Sequence, residues 1–202
     1  RGFAQLLQED NISRSQKDYL EIIVRETERM NALIEQLLYY ARPVVNRIDS
    51  VDVNAVVVNV RKLIESQTKA KNIQIVTRLK KDLPPVLCDA EQLKQVLLNI
   101  VINAIQSIEQ DGRIRIASSY LPDQQRVEIK VEDNGQGIPS EHHERIFDPF
   151  FTTKEQGTGL GLSVAFRLME TWGGAIHVES AKGVGSSFVL SFPAGKIEEA
   201  SE

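Results

Sequence analysis

Between residues 14 and 41 one face of the chain is marked by positions three and four apart: Leu20, Ile23, Thr27, Met30, Ile34, Leu37 and Ala41. That spacing predicts a long helix with these residues in one stripe, and Lys17, Glu21, Arg25, Glu28 and Glu35 on the opposite, solvated face. Upstream, Phe3-Ala4-Gln5-Leu6-Leu7 reads as the end of another helix, with 9–13 as the turn and Ser13 as an N-cap. A helical hairpin results. One hairpin has little to pack against, so the pattern predicts a dimer that completes a four-helix bundle; packing against the rest of the chain is the alternative. Arg42-Pro43 ends the helix, because proline lacks the N–H that would continue it.

A linker and short strand over 44–52 separate this hairpin from a region of different periodicity. Residues 55–67 repeat as a helix, whereas Ile73-Gln74-Ile75-Val76-Thr77 alternates as a strand. Asp89-Ala90-Glu91-Gln92 has capping-box spacing and opens a strongly apolar helix. Residues 114–118 and 127–132 read as a β-hairpin, 160–171 as a helix, and 175–179 and 187–192 as closing strands. Strands and helices interleave without strict alternation, which argues an α+β layer rather than a doubly wound sheet. The expected domains are 1–43, the helical hairpin; 44–196, a mixed domain; and 197–202, a tail.

The chain has 202 residues, enough to bury a real core. A net charge of −4 gives no support to a nucleic-acid partner, which needs a basic face. The single cysteine, Cys88, rules out an internal disulfide. No apolar run approaches the length that spans a bilayer. The start on Arg1-Gly2-Phe3, without a methionine or signal peptide, reads as part of something longer.

The chemistry concentrates between 99 and 162. Asn99 and Asn103 stand one helical turn apart inside Val96-Leu97-Leu98 and Ile100-Val101-Ile102, so both amides share one face of an apolar helix. Burying them unbonded is costly, so they are either core amides satisfied by backbone or ligand-holding groups. An amide oxygen suits a hard cation such as Mg²⁺, which also takes phosphate oxygens and water. Asp133-Asn134-Gly135-Gln136-Gly137 follows a strand. Its carboxylate can accept a hydrogen bond from an exocyclic amine such as that of adenine, or it can simply make a turn. Gly157-Thr158-Gly159-Leu160-Gly161-Leu162 is a glycine run opening a helix, which aims free N–H groups at an anion. Between the two glycine clusters, residues 140–157 hold Phe147, Phe150 and Phe151 and suit a lid, although the rings could equally be core. Thr153 and Lys154 are better placed for phosphate.

These four elements resemble the boxes of bacterial sensor histidine kinases. Asn99 and Asn103 match the N box, 133–137 the first G box, 147–154 the F box and 157–161 the second G box, with Gly183 and Gly185 as a weaker third pair. Leu37-Leu38-Tyr39-Tyr40-Ala41-Arg42-Pro43 and Phe150-Phe151-Thr152-Thr153-Lys154 are most similar to the sporulation and nitrogen-regulation kinases. The resemblance covers nearly the whole chain. It implies a dimerisation and phosphotransfer hairpin followed by an α/β-sandwich ATP-binding domain of the histidine kinase, gyrase and chaperone type.

It further implies that Asn103 binds Mg²⁺, that Asp133 reads adenine, and that Gly157, Gly159 and Gly161 wrap the phosphates. Asn99, Gly135, Gly137, Ile138, Phe147, Thr153, Lys154, Thr158, Leu160, Leu162 and Ser187 complete the implied ATP site. Many relatives carry a basic residue where this chain has Gln106, so positive charge must come from elsewhere, with Lys154 the candidate. The family's acceptor histidine would lie about ten residues before Arg1, near three helical turns. His142 and His143, expected as exposed helix residues, and His177, in a closing strand, do not fit that role.

The implied activity is γ-phosphoryl transfer from Mg²⁺-ATP to that histidine, for relay to an aspartate on a response-regulator receiver domain. Implied partners are a second copy through residues 1–43, the receiver domain, and a small helical inhibitor on the hairpin. The chain would be the cytoplasmic portion of a protein attached to the bacterial plasma membrane. Two alternatives stay open. Hydrolytic relatives of the fold place a glutamate where this chain has Asn99, and a neutral amide cannot take a proton from water. A non-catalytic dimeric scaffold is the other, and loss of nucleotide binding would mark it.

Overall fold

The computed structural model describes residues 17, 19–24, 26, 27, 30, 48–154 and 157–195. The chain forms two units, Arg1–Val44 and Val45–Glu202. In the first, the described residues are helical, as the three-and-four spacing predicts. Leu20 and Thr27 of the stripe are half-buried, whereas Ile23 and Met30 are 54% and 55% exposed. The expected turn at 9–13 with Ser13, the stripe positions Ile34, Leu37 and Ala41, the Arg42-Pro43 stop and the tail at 197–202 lie outside the described residues.

The second unit runs β1 (Asp49–Val51), α1 (Val53–Ala70), β2 (Gln74–Leu79), β3 (Val86–Cys88), α2 (Ala90–Ser107), β4 (Arg113–Leu121), β5 (Arg126–Asp133), α3 (Gly161–Thr171), β6 (Ala175–Ala181) and β7 (Gly185–Pro193). Five strands make one sheet in the order β2-β4-β5-β7-β6. β2 lies parallel to β4 and every other pairing is antiparallel. β1 and β3 form a separate antiparallel pair.

Alternation within the strands decides the layers. Ile114 and Ile116 of β4, Val127, Ile129 and Val131 of β5, and Phe188, Leu190 and Phe192 of β7 are buried. Because side chains two apart share a face, these eight turn toward one layer. Val53, Val57, Val60 and Ile64 of α1, Leu93, Leu97, Ile100 and Val101 of α2, and Ala165, Leu168 and Met169 of α3 are buried in turn. The result is a two-layer α/β sandwich. Each fully buried Leu, Ile or Phe stabilises it by roughly 1.5–3 kcal/mol relative to exposure.

The helix that carries Asn99 and Asn103 is fixed at both ends. Asp89 accepts hydrogen bonds from the N–H groups of Glu91 and Gln92 at 2.9 and 3.0 Å. Only that half of the expected capping box forms, since Gln92 Oε1 has no partner. At the far end, the Lys71 ammonium donates to the carbonyls of Ile105 and Ile108 at 2.9 and 2.7 Å, where the helix leaves its last carbonyls unsatisfied. Cys88 is fully buried, and burial pushes its thiol up to about 12, so it packs as a small hydrophobe. Among the described residues, no helix is long and apolar enough to cross a membrane.

Candidate nucleotide site

The four-residue spacing of Asn99 and Asn103 continues to Ser107, the last residue of α2. All three are half-buried and form one polar stripe on an otherwise buried helix. The Asn99 amide donates to the Gly161 carbonyl at 3.0 Å, tying the N box to the first turn of α3. One turn on, Asn103 Oδ1 accepts from the Lys154 ammonium at 3.0 Å, and Gln106 Oε1 accepts from the same nitrogen at 2.7 Å. The Lys154 ammonium thus stands beside position 106.

At the third step the stripe meets the end of β5. Asp133 Oδ1 accepts from the Gly135 N–H at 2.8 Å and lies 3.1 Å from Ser107 Oγ. The Ser107 carbonyl accepts from the Gln136 N–H at 3.0 Å. Glycine is required at 135, since a Cβ there would stand 2.7 Å from the Ser107 carbonyl oxygen and 2.8 Å from its carbon, which are backbone. Burial pushes the Asp133 carboxyl above its usual range. The Gly135 N–H, the Ser107 hydroxyl, the Ser186 N–H and the Lys154 charge work against that rise. The Lys154 ammonium is pulled below its usual value, first by burial and then by Lys71, with Asp133 opposing.

The loop between the glycine clusters is anchored by its aromatic rings. Phe147 packs on Phe166 of α3 with ring centroids 5.1 Å apart, so its ring is committed to the core side of the loop. Phe151 sits edge-on to His142 at 5.3 Å, with the Arg145 guanidinium 4.5 Å over its face. Phe150, at φ 68°, donates its N–H to the Gly159 carbonyl at 3.0 Å and leaves its ring 64% exposed. Thr152 Oγ1 accepts from the Lys154 N–H at 3.1 Å, and the Gly157 N–H donates to the Lys154 carbonyl at 3.0 Å, closing a turn. Thr153 is exposed. Thr158 Oγ1 accepts from the Leu160 N–H at 3.4 Å, Leu160 is buried, and α3 begins at Gly161 with no side-chain cap. Its first N–H groups are therefore available to an anion. Leu162 is half-buried in the same turn.

On the other side of Asp133, the Ile138 N–H donates to Ser180 Oγ at 2.7 Å, and Gly137 abuts the Ala181 carbonyl. The β6–β7 turn joins this loop through the Gly183 N–H, which donates to the Gln136 carbonyl at 2.7 Å.

Ser187 requires correction. It pairs with Glu132 and Glu179, whereas Asp133 pairs with Ser186, and alternation places Ser187 on the opposite face of the sheet. Ser186 is the buried neighbour of Asp133. The two histidines also differ from expectation. His142 and His143 are half-buried, the first against Phe151, the second with Nε2 3.1 Å from the Ile138 carbonyl. His177 is exposed on the outer face of β6. Ser107 and Ser186 are not marked by any motif, whereas Gln136 lies within the first glycine cluster. The continued spacing from Asn99 and Asn103 was the one signal available for Ser107.

Residues 88–196 match the model of the histidine kinase-, DNA gyrase B- and HSP90-like ATPase family, and residues 1–44 match the His Kinase A (phospho-acceptor) domain. The chain belongs to this ATPase family, and the curated relatives it resembles are sensor histidine kinases. It is 39% identical over 193 residues to the signal transduction histidine-protein kinase AtoS of Escherichia coli, covering 96% of this chain and 32% of that protein. It is 35% identical to sporulation kinase E of Bacillus subtilis, covering 96% of this chain and 26% of that protein. The chain therefore spans about a third of these relatives or less. Among solved structures, full-length ShkA in complex with AMPPNP superposes at a TM-score of 0.82 with 28% identity, over 97% of this chain and 42% of that one. The histidine kinase ThkA in complex with the response regulator TrrA superposes at 0.77 with 30% identity, over 96% and 56%.

Proposed function

We propose that this chain binds Mg²⁺-ATP and passes the γ-phosphoryl group to a histidine side chain, for relay to a response-regulator aspartate. The observation that carries this is the convergence of Asp133, Asn103, Gln106 and Lys154 on the C-terminal half of α2. In this reading the Asp133 carboxylate accepts from the exocyclic amine of adenine, with Gly135, Gly137 and Ile138 forming the loop beside the base. Gly157, Thr158, Gly159, Leu160, Gly161 and Leu162 bring backbone N–H groups to the phosphates, and Thr153 and Lys154 approach them from the F segment. Phe147 acts by holding that segment to α3.

The donors suit a hard cation. Two neutral amide oxygens on one helix face, Asn103 Oδ1 and Gln106 Oε1, converge on the Lys154 ammonium, and such oxygens would also suit a hard cation. No cluster of three or more His, Cys, Asp or Glu side chains offers a metal site among the described residues. Asn103 would hold Mg²⁺ together with phosphate oxygens and water. When bound, the ion neutralises charge on the phosphates. Asn99 offers water no base, and its amide is spent on Gly161. The site thus favours transfer to a positioned side chain over hydrolysis.

In this reading the acceptor is a histidine just upstream of Arg1, since residues 1–44 contain none. Residues 1–43 form a homodimer in this reading, and the exposure of Ile23 and Met30 in the single chain gives that dimer its apolar seam. A receiver domain and a small helical inhibitor would dock on the same hairpin, and the parent protein would be attached to the plasma membrane. The parent protein incubated with γ-labelled ATP should acquire a label that resists base and is lost in acid, as expected of phosphohistidine. Asn103→Ala should acquire none. An acid-stable label would overturn the reading.

A further inference from the structure

We propose that Ser107 is a positioning residue for adenine recognition, its hydroxyl holding the Asp133 carboxylate in the orientation that accepts the exocyclic amine. The proposal rests on the reading of Asp133 given above.

Ser107 Oγ has one proton and two acceptors in reach, Asp133 Oδ1 at 3.1 Å and the Ala104 carbonyl at 2.9 Å. A serine at a helix end ordinarily returns its proton to a carbonyl three or four residues back. An ionised carboxylate is the stronger acceptor, so the hydroxyl serves Asp133 whenever Asp133 is charged. The same residue fixes the loop that follows. Its carbonyl accepts from Gln136, and its hydroxyl fills the space beside Gly135 where a side chain would stand. Two donors, the Ser107 hydroxyl and the Gly135 N–H, thus converge on a single carboxylate oxygen. That fixes the plane of the carboxylate, and the same two donors favour its ionised form against the burial that opposes it. Ser107 lies at the third step of the Asn99 and Asn103 stripe, so one helix face holds the cation end and orients the base-reading end of the site.

The test compares ATP with purine riboside triphosphate, which lacks the exocyclic amine, by titration of the chain with each nucleotide in Mg²⁺. Ser107→Ala should weaken ATP binding about ten-fold, the usual size of one lost hydrogen bond to a charged group, and leave the amine-free analogue unchanged. Equal weakening of both nucleotides would mean a structural role only and would overturn the proposal, as would an unchanged affinity for ATP. Asp133→Asn separates the two levels. If it removes the preference for ATP while Ser107→Ala does not, the Ser107 proposal alone fails. If Asp133→Asn leaves the preference intact, the reading of Asp133 falls and this proposal falls with it.

Discussion

Replacing Asp133 with asparagine is expected to weaken ATP binding on the order of 100-fold or more while leaving the second unit folded. The carboxylate would lose its charge and with it the charge-assisted bond to the base. The new amide would also set an N–H₂ group near the Ser107 hydroxyl and the Gly135 N–H, two groups now donating to one oxygen. Stability should move the other way. The Asp133 carboxyl titrates above its ordinary range because it is buried, so the folded state holds the proton more tightly than the unfolded chain does. Its contribution to stability is therefore fully present at acid pH and is lost as pH rises through the folded value. Asparagine is neutral throughout. The variant should match the parent chain in melting temperature at pH 4 and equal or exceed it at pH 7, a familiar exchange between stability and function. In the unaltered chain, ATP affinity should fall on acidification at a higher pH than an ordinary carboxylate would give. Calorimetric titration across pH 4–8 checks both effects; unchanged affinity in Asp133→Asn would remove that residue from the site.

Gly159→Ala is expected to cost about 30-fold or more in ATP affinity with little change in the core. Gly159 has φ +68°, and a Cβ there would stand 2.3 Å from the Phe150 carbonyl carbon. That neighbour is backbone, and Phe150 is itself held at φ 68° by the bond from its N–H to the Gly159 carbonyl. Neither partner can yield alone. The loop must move, and with it the Lys154 side chain that reaches Asn103 and Gln106 and the approach to the first turn of α3. The sheet and the buried faces of α1 and α2 do not touch this contact, so far-ultraviolet circular dichroism should be preserved. Affinity close to that of the unaltered chain would show that the F segment and the second glycine cluster need not interlock.

Much of this site could be read from residue order because its parts are local. Asn99 and Asn103 declare themselves by spacing within an apolar helix, and the glycine run before α3 by the helix it opens. What could not be read depends on pairing across the sequence. The difference between Ser186 and Ser187 is one residue of strand register, and a slip of one exchanges the two faces of a sheet. Two adjacent serines after Gly185 give no local clue to which one lies beside Asp133. Ser107 is a common residue at a helix end, and only the return of the chain at β5 gives it a carboxylate. The environment of His142 depends on Phe151, nine positions later, so polarity of the local segment misled. The parallel pairing of β2 with β4 likewise needs α2 and the intervening β3 to be placed first.

In the proposed function this site prepares ATP for transfer to a side chain and not to water. Steady-state phosphate release by this chain at saturating Mg²⁺-ATP, alongside a titration establishing that the nucleotide binds, tests it most directly. Binding without sustained release is the predicted result, because Asn99 supplies no base. Sustained turnover would mean that water is activated without a carboxylate at position 99, and phosphoryl transfer to histidine would have to give way to ATP hydrolysis.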